Sequence, residues 1–78
     1  MNLAIERELT AERGSTLARA GDALEKAMAA WRSSPADPDA RREAQRRLWY
    51  LVVQREALGL YRHRDVYEVY AVPRAWWY

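Results

Sequence analysis

The sequence has no cysteine and no phenylalanine, and its 78 residues include one histidine and three glycines. Without cysteine, the chain can form neither a disulfide-stapled secreted scaffold nor a cysteine-ligated zinc site. No apolar run approaches the ~20 residues that a helix needs to span a bilayer. Charges at Glu6, Arg7 and Glu8 interrupt the N-terminal segment, which therefore lacks the apolar core of a signal peptide. We expect a cytoplasmic protein with no membrane segment.

What the chain does contain is mainly alanine, arginine and large aromatic side chains. The hydrophobic half of the sequence includes 14 alanines, so 4 tryptophans and 5 tyrosines supply all the aromatic surface. A domain of about 60 residues buries only about 60% of its unfolded surface, which places such a chain near the margin of stability. Since disulfides are excluded and a metal is not expected, packed helices or a second subunit must stabilise this single domain.

The charges are unevenly distributed between the two halves of the chain. Residues 1–40 carry five basic and seven acidic side chains, whereas residues 41–78 carry eight arginines and four acids. A basic second half could attract nucleic acid. Two oppositely charged halves could equally attract each other within the fold or within a dimer.

Apolar residues recur with a seven-residue period and predict a first helix over residues 3–32. The positions of this period are Leu3, Thr10, Leu17, Leu24 and Trp31. Gly14 and Gly21 each cost about 1 kcal/mol in a helix relative to alanine, so they could mark a break, with Ser15 or Thr16 capping a second helix. We favour a continuous helix, because small residues share one face and allow close packing. These residues are Ala11, Gly14, Ala18 and Gly21.

A proline-containing loop over residues 33–37 separates this helix from a second one, predicted over residues 38–58. Asp37 suits the N-cap, where its carboxylate can accept a hydrogen bond from a free backbone amide. Pro38 suits the first helical position, where its missing N–H costs nothing. A loop this short makes the two helices antiparallel.

The C-terminal part of the chain is predicted to be shorter and aromatic. Gly59 ends the second helix as a left-handed cap. A short helix over residues 62–70 and an aromatic tail over residues 71–78 follow. We expect this tail to pack over the start of the first helix, at Leu3, Ile5 and Leu9.

No residue pattern indicates catalysis or a cofactor. His63 is the only histidine, so a pair of histidines at metal-ligand spacing is absent, and no glycine-rich phosphate loop occurs. The three serines, Ser15, Ser33 and Ser34, lie in no nucleophile turn. We expect a protein that is not an enzyme and that needs neither a cofactor nor a metal. His63 is expected to begin the third helix, with pH sensing as its alternative role.

Arg55 differs from the other arginines because it falls within the apolar stripe of the second helix, beside Val52 and Leu58. A guanidinium group at such a position needs a carboxylate partner. We expect that partner to be Glu12 or Glu8, which lie at about the same height on the antiparallel first helix.

Residues 8–27 and 49–76 carry a recognisable pattern. The second segment contains Gln54-Arg55-Glu56, Gly59-Leu60, His63 and Tyr70-Ala71-Val72-Pro73. This pattern resembles a family of short bacterial helical proteins catalogued as a domain of unknown function. The resemblance implies a helical fold and no known activity. Ala71 departs from the glycine expected at that position, and the end of the chain is unusually aromatic.

The sequence therefore predicts an all-α protein, a long antiparallel helical hairpin with a short C-terminal helix. One face of such a hairpin would stay uncovered, and a homodimer with a four-helix core would bury it. We expect a non-enzymatic protein–protein interaction module, a small adaptor or regulator. Its predicted partner-binding residues are Gly14, Ala18, Gly21, Trp49, Trp76 and Trp77.

The alternative is a nucleic-acid-binding protein that uses the arginine-rich second half. Pairs of arginines on the second helix form the basic face that a phosphate-binding helix would present. The residues concerned are Arg41, Arg42, Arg46, Arg47, Arg62, Arg64 and Arg74.

Overall fold

The computed structural model describes residues 15–78, which form three α-helices and a final 3-10 turn. The helices are α1 (Ser15–Ser33), α2 (Pro38–Ala57) and α3 (Arg64–Val69), and the turn is Arg74–Trp76. The two long helices pack against each other, which confirms the predicted all-helical fold. The predicted continuation of the first helix back to Leu3 lies outside the described residues.

The start of α2 is fixed by its first two residues. Asp37 has an extended backbone (φ −79°, ψ 113°), and its side chain accepts a hydrogen bond from the Asp39 backbone N–H at 2.9 Å. Pro38 occupies the first turn, where no backbone donor is needed. The cap therefore satisfies a free amide and reverses the chain after the short connection over residues 34–37.

The end of α2 is a Schellman motif built on Gly59. The Leu60 N–H donates to the Arg55 carbonyl at 3.0 Å, and the Gly59 N–H donates to the Glu56 carbonyl at 3.0 Å. Gly59 has φ +83°, which glycine adopts at no steric cost. Leu60 follows as a buried apolar residue and directs the chain back onto the hairpin.

The end of α3 repeats the same motif with alanine in the glycine position. The Val72 N–H donates to the Tyr67 carbonyl at 2.8 Å, and the Ala71 N–H donates to the Glu68 carbonyl at 3.2 Å. Ala71 has φ +52°, a left-handed conformation that costs an L-residue about 1 kcal/mol. Val72 is buried as Leu60 is. Ala71 is therefore a strained cap at the position where the resemblance leads us to expect glycine.

The core lies between α1, α2 and the C-terminal segment, which we define as residues 58–78. From the hairpin it takes Leu17, Ala20, Leu24, Ala27, Met28, Ala44, Leu48, Leu51 and Val52. The C-terminal segment adds Leu60, Val66, Tyr67 and Val72. This segment leaves the end of α2 and runs back along the hairpin, because Trp76 packs against Trp31 in the last turns of α1. The sequence predicted the tail over the start of the first helix, whereas Trp76 packs at the other end of that helix, because the C-terminal segment runs along the hairpin before the tail begins. The residues named in that prediction, Leu3, Ile5 and Leu9, lie outside the described residues.

Candidate interaction surface

The C-terminal segment covers one face of the α1–α2 hairpin, which we call the covered face. Gly21 lies on this face, and a Cβ atom built there would lie 2.7 Å from the Tyr70 hydroxyl oxygen. The Arg32 side chain also reaches this segment and donates to the Tyr70 carbonyl at 3.5 Å. Gly21, which the sequence predicted to contact a partner, therefore makes room for a tyrosine of the same chain.

The two tryptophans near the C-terminus also pack within the chain. The ring centroids of Trp76 and Trp31 are 4.6 Å apart. Trp77 stacks on Tyr67 at 4.8 Å, and its indole N–H donates to the Val72 carbonyl at 3.0 Å. Both rings are half-buried by these contacts. Trp76 and Trp77 thus help to attach the C-terminal segment to the hairpin.

The opposite side of the hairpin, the open face, carries a shallow groove between α1 and α2. Its volume is about 400 Å³, and its lining residues are Thr16, Arg19, Ala20, Ala23, Arg47 and Tyr50. Ala23 follows Gly21 by two residues, which turns its side chain about 200° around the helix. The groove and the Tyr70 contact therefore lie on different sides of α1. A smaller hollow of about 230 Å³ continues toward the ends of the helices at Thr16 and Leu58.

Beside the groove, α2 exposes a cluster of large side chains, which we call the aromatic patch. Trp49, Tyr50 and Val53 are 52%, 40% and 37% exposed. Their spacing of three and four residues places them side by side on the helix surface. Exposed apolar clusters of this kind often mark binding sites. Trp49 was predicted from the sequence to bind a partner, whereas Tyr50 and Val53 were not, although the same helical spacing could have found them.

The remaining predicted partner-binding residues do not join this surface as a set. Ala18 is exposed, and Gly14 lies outside the described residues. Gly21, Trp76 and Trp77 belong to the covered face. Of the predicted residues whose surroundings are described, Trp49 is the one in the aromatic patch, next in sequence to Tyr50, which lines the groove.

Most of the arginines predicted for nucleic acid have acidic partners on their own helix. Arg42 pairs with Asp39. Glu43 binds both Arg46 and Arg47, at 3.2 Å and 3.0 Å. Each of these pairs lowers the positive potential of α2.

The other predicted arginines lie in the C-terminal segment or at the first turns of α2. Arg64 pairs with Glu68 at 3.0 Å. The Arg74 guanidinium lies over the Trp77 ring, 5.3 Å from its centroid. Arg41 and Arg62 are exposed.

A buried polar cluster joins the end of α2 to the C-terminal segment. The Arg55 side chain is fully buried, and its Nε–H donates to His63 Nδ1 at 3.2 Å. Its Nη2 group donates to the Arg62 carbonyl at 2.8 Å. The other nitrogen of His63, Nε2, lies 2.9 Å from a carboxylate oxygen of Glu56. The predicted partners Glu8 and Glu12 lie outside the described residues.

His63 is the N-cap residue just before α3, close to its predicted place at the start of this helix, but its ring makes no capping hydrogen bond to the helix. It binds side chains of α2 instead. A signal for this contact is present in the sequence, because the Gly59 turn reverses the chain between Glu56 and His63. Spacing alone could not specify it, because the ring could equally have bonded to the helix that it begins.

Burial changes the ionisation of two groups on the covered face. Burial lowers the pKa of Arg55, and the nearby Asp65 carboxylate partly opposes this effect. Burial raises the pKa of the Tyr70 hydroxyl, and the negative charges of Glu25 and Asp22 raise it further. Arginine keeps its proton in proteins, so Arg55 acts here as a permanent hydrogen-bond donor rather than as an acid or base.

Two further observations bear on ligand and membrane binding. Among residues 15–78, no three histidine or acidic side chains come together in the arrangement that a metal ion needs. In the same part of the chain, none of the helices combines the length and the apolar character required to cross a bilayer.

A family model described as a family of unknown function, DUF6665, matches residues 2–77. The match covers nearly the whole chain, and the chain therefore belongs to this family. No curated protein and no solved structure matches the sequence.

Proposed function

We propose that this member of DUF6665 is a non-enzymatic protein–protein interaction module that acts through the open face of its hairpin. We further propose that its first partner is a second copy of the same chain. The observation that carries the proposal is the aromatic patch of Trp49, Tyr50 and Val53, whose Tyr50 lines a groove together with Ala20 and Ala23 and with Arg19 and Arg47. Such a surface loses exposed apolar area when another helix packs on it.

A second copy fits this surface because the patch and the groove lie side by side on one hairpin. A two-fold axis brings the same surface of both chains together, so the patch of each chain can meet the groove of the other. Ala20 and Ala23 allow a close approach at the centre of the groove. Two hairpins joined in this way form a four-helix core, which helps to stabilise a chain of marginal size.

The test is the molar mass in solution, measured by light scattering at about 100 μM, where even weak dimers are populated. We expect a dimer for the wild type and a folded monomer for Tyr50→Glu, because a charged carboxylate in the patch would have to lose its water on association. Tyr61→Glu is the matched control, since Tyr61 is exposed on the connection between α2 and α3. It should leave the dimer unchanged. A monomeric wild type would contradict the self-association.

The second candidate function is nucleic-acid binding. The observation that favours it is the exposed row of Arg42, Arg46 and Trp49 on α2, since cations beside an aromatic ring suit single-stranded nucleic acid. It ranks second because Asp39 and Glu43 already neutralise part of the charge of this helix. Its test is binding to single-stranded and duplex DNA over a range of salt concentrations. Affinity that falls steeply with salt and weakens in Arg46→Gln would support this function over the first.

The absence of catalysis and the cytoplasmic location stay predictions that rest on composition. They are in keeping with the lack of cysteine and with the single histidine held between Arg55 and Glu56.

A further inference from the structure

His63 holds the beginning of the C-terminal segment against the end of α2. Its ring is buried between Arg55, which is fully buried, and Glu56, whose side chain is 47% exposed. Arg55 also donates a hydrogen bond to the backbone carbonyl of Arg62, the residue before His63. Two adjacent residues of α2 therefore attach two adjacent residues of the C-terminal segment.

The directions of these hydrogen bonds fix the protonation state of the imidazole. Arg55 Nε always carries a hydrogen, so His63 Nδ1 must accept and must be without a proton. Nε2 then carries the single ring hydrogen and donates to the Glu56 carboxylate. The cluster is thus complete only when the ring is neutral.

We propose that His63 is an acid-sensitive latch, and that protonation of its ring releases the C-terminal segment from the covered face. Imidazole groups take up a proton at mildly acidic pH. A proton on Nδ1 would place two N–H donors and two positive charges against each other inside the protein. The hydrogen bond from Arg55 would be lost, and the Arg55 donor would face a group that cannot accept.

Other charged and titratable groups act on the same cluster. From α2, Glu56 would attract a protonated ring, but its exposure to water weakens that attraction. From α3, Asp65 acts on Arg55. The Tyr67 ring lies edge-on to the imidazole with the ring centroids 6.3 Å apart. From α1, Asp22 and Glu25 act on Tyr70. The donor–donor conflict is buried, whereas the ion pair with Glu56 is half exposed to water.

The test follows docking of the C-terminal segment by near-ultraviolet circular dichroism, because the packed rings of Trp31 and Trp76 report it directly. When the pH is lowered from about 7.5 to about 5, we expect the wild type to lose this signal at a lower denaturant concentration. The equilibrium constant for docking should fall about tenfold, the effect of one lost hydrogen bond to a charged group. The helical signal of the hairpin should change less.

His63→Asn is the matched variant, because its amide oxygen can accept from Arg55 and does not titrate. Its docking should be independent of pH over this range, and the same pH dependence as in the wild type would overturn the proposal. Glu56→Gln keeps the histidine but removes the carboxylate that favours the proton in the folded state. It should make docking more acid-sensitive than in the wild type, and a reduced sensitivity would also overturn the latch. The latch concerns the covered face, so its test is independent of the proposed dimer.

Discussion

The two faces of the hairpin are formed by the same pair of helices but differ in the side chains that pack on them. On the covered face, Gly21 accommodates Tyr70, Trp31 accommodates Trp76, and Arg55 binds His63. On the open face, two alanines and two arginines line a groove next to the exposed aromatic patch. Directional contacts thus specify the intramolecular face, whereas the other face offers mainly apolar area. Among residues 15–78, the difference indicates that the directional contacts of the monomer are concentrated on the covered face.

Breaking the buried cluster of the covered face should destabilise the protein more than any other single change. Arg55→Met would leave His63 Nδ1 and the Arg62 carbonyl without their donor. We expect the free energy of unfolding, measured with urea, to fall by about 3 kcal/mol. Arg47→Met on the open face is the control and should change stability by about 0.5 kcal/mol at most, because it breaks a solvent-exposed pair with Glu43. Equal losses in the two variants would contradict the comparison.

Trp76 packs on the covered face and Trp49 lies in the exposed aromatic patch, so their truncation should have different effects on stability. Trp76→Ala removes the contact with Trp31 and should lower the free energy of unfolding by about 2 kcal/mol, roughly half the effect of truncating a fully buried tryptophan. Trp49→Ala should change the stability of the monomer by about 0.5 kcal/mol or less, since its ring is mainly exposed. Thermal unfolding at low protein concentration measures both. A larger loss for Trp49→Ala would show that the open face stabilises the monomer.

A double-mutant cycle measures how strongly the Tyr70 hydroxyl limits the size of the residue at position 21. In the wild type, Gly21→Ala should destabilise the protein by about 1 kcal/mol, because the new methyl group would meet the Tyr70 hydroxyl. In the Tyr70→Phe background the nearest atom is the ring carbon at 3.8 Å, an ordinary contact. The same change should then stabilise by about 1 kcal/mol through helix propensity. Identical effects in both backgrounds would show that the contact does not control this position.

The smallest effects distinguish the two Schellman motifs. Gly59→Ala should cost about 1 kcal/mol, and this cost is purely conformational because nothing lies within 4 Å of the added methyl group. Ala71→Gly should stabilise by about 0.5 kcal/mol, since relief of strain exceeds the entropy gained by the unfolded chain. Urea unfolding of both variants measures the difference. A loss of stability in Ala71→Gly would contradict the assignment of strain.

The hairpin was predictable because local rules specify it. The seven-residue period led to Leu17 and Leu24 in the core, and the Asp37–Pro38 pair led to the start of α2. The contact between Gly21 and Tyr70 was not predictable, because a glycine in a helix indicates close packing without naming the neighbour. The path of the C-terminal segment depends on such long-range contacts, and its apolar residues alone could not say which end of the hairpin they cover.

The strained cap at Ala71 has a consequence for the order in which parts of the molecule open. The C-terminal segment supplies four of the buried core residues, and its second reversal rests on an alanine in a left-handed conformation. Such a segment is expected to behave as a separate opening unit with a lower local free energy than the hairpin. In amide hydrogen exchange, the Val72 N–H should therefore exchange before the amides at the centre of α2. Transient opening would expose the Tyr70 side of α1 without unfolding the hairpin.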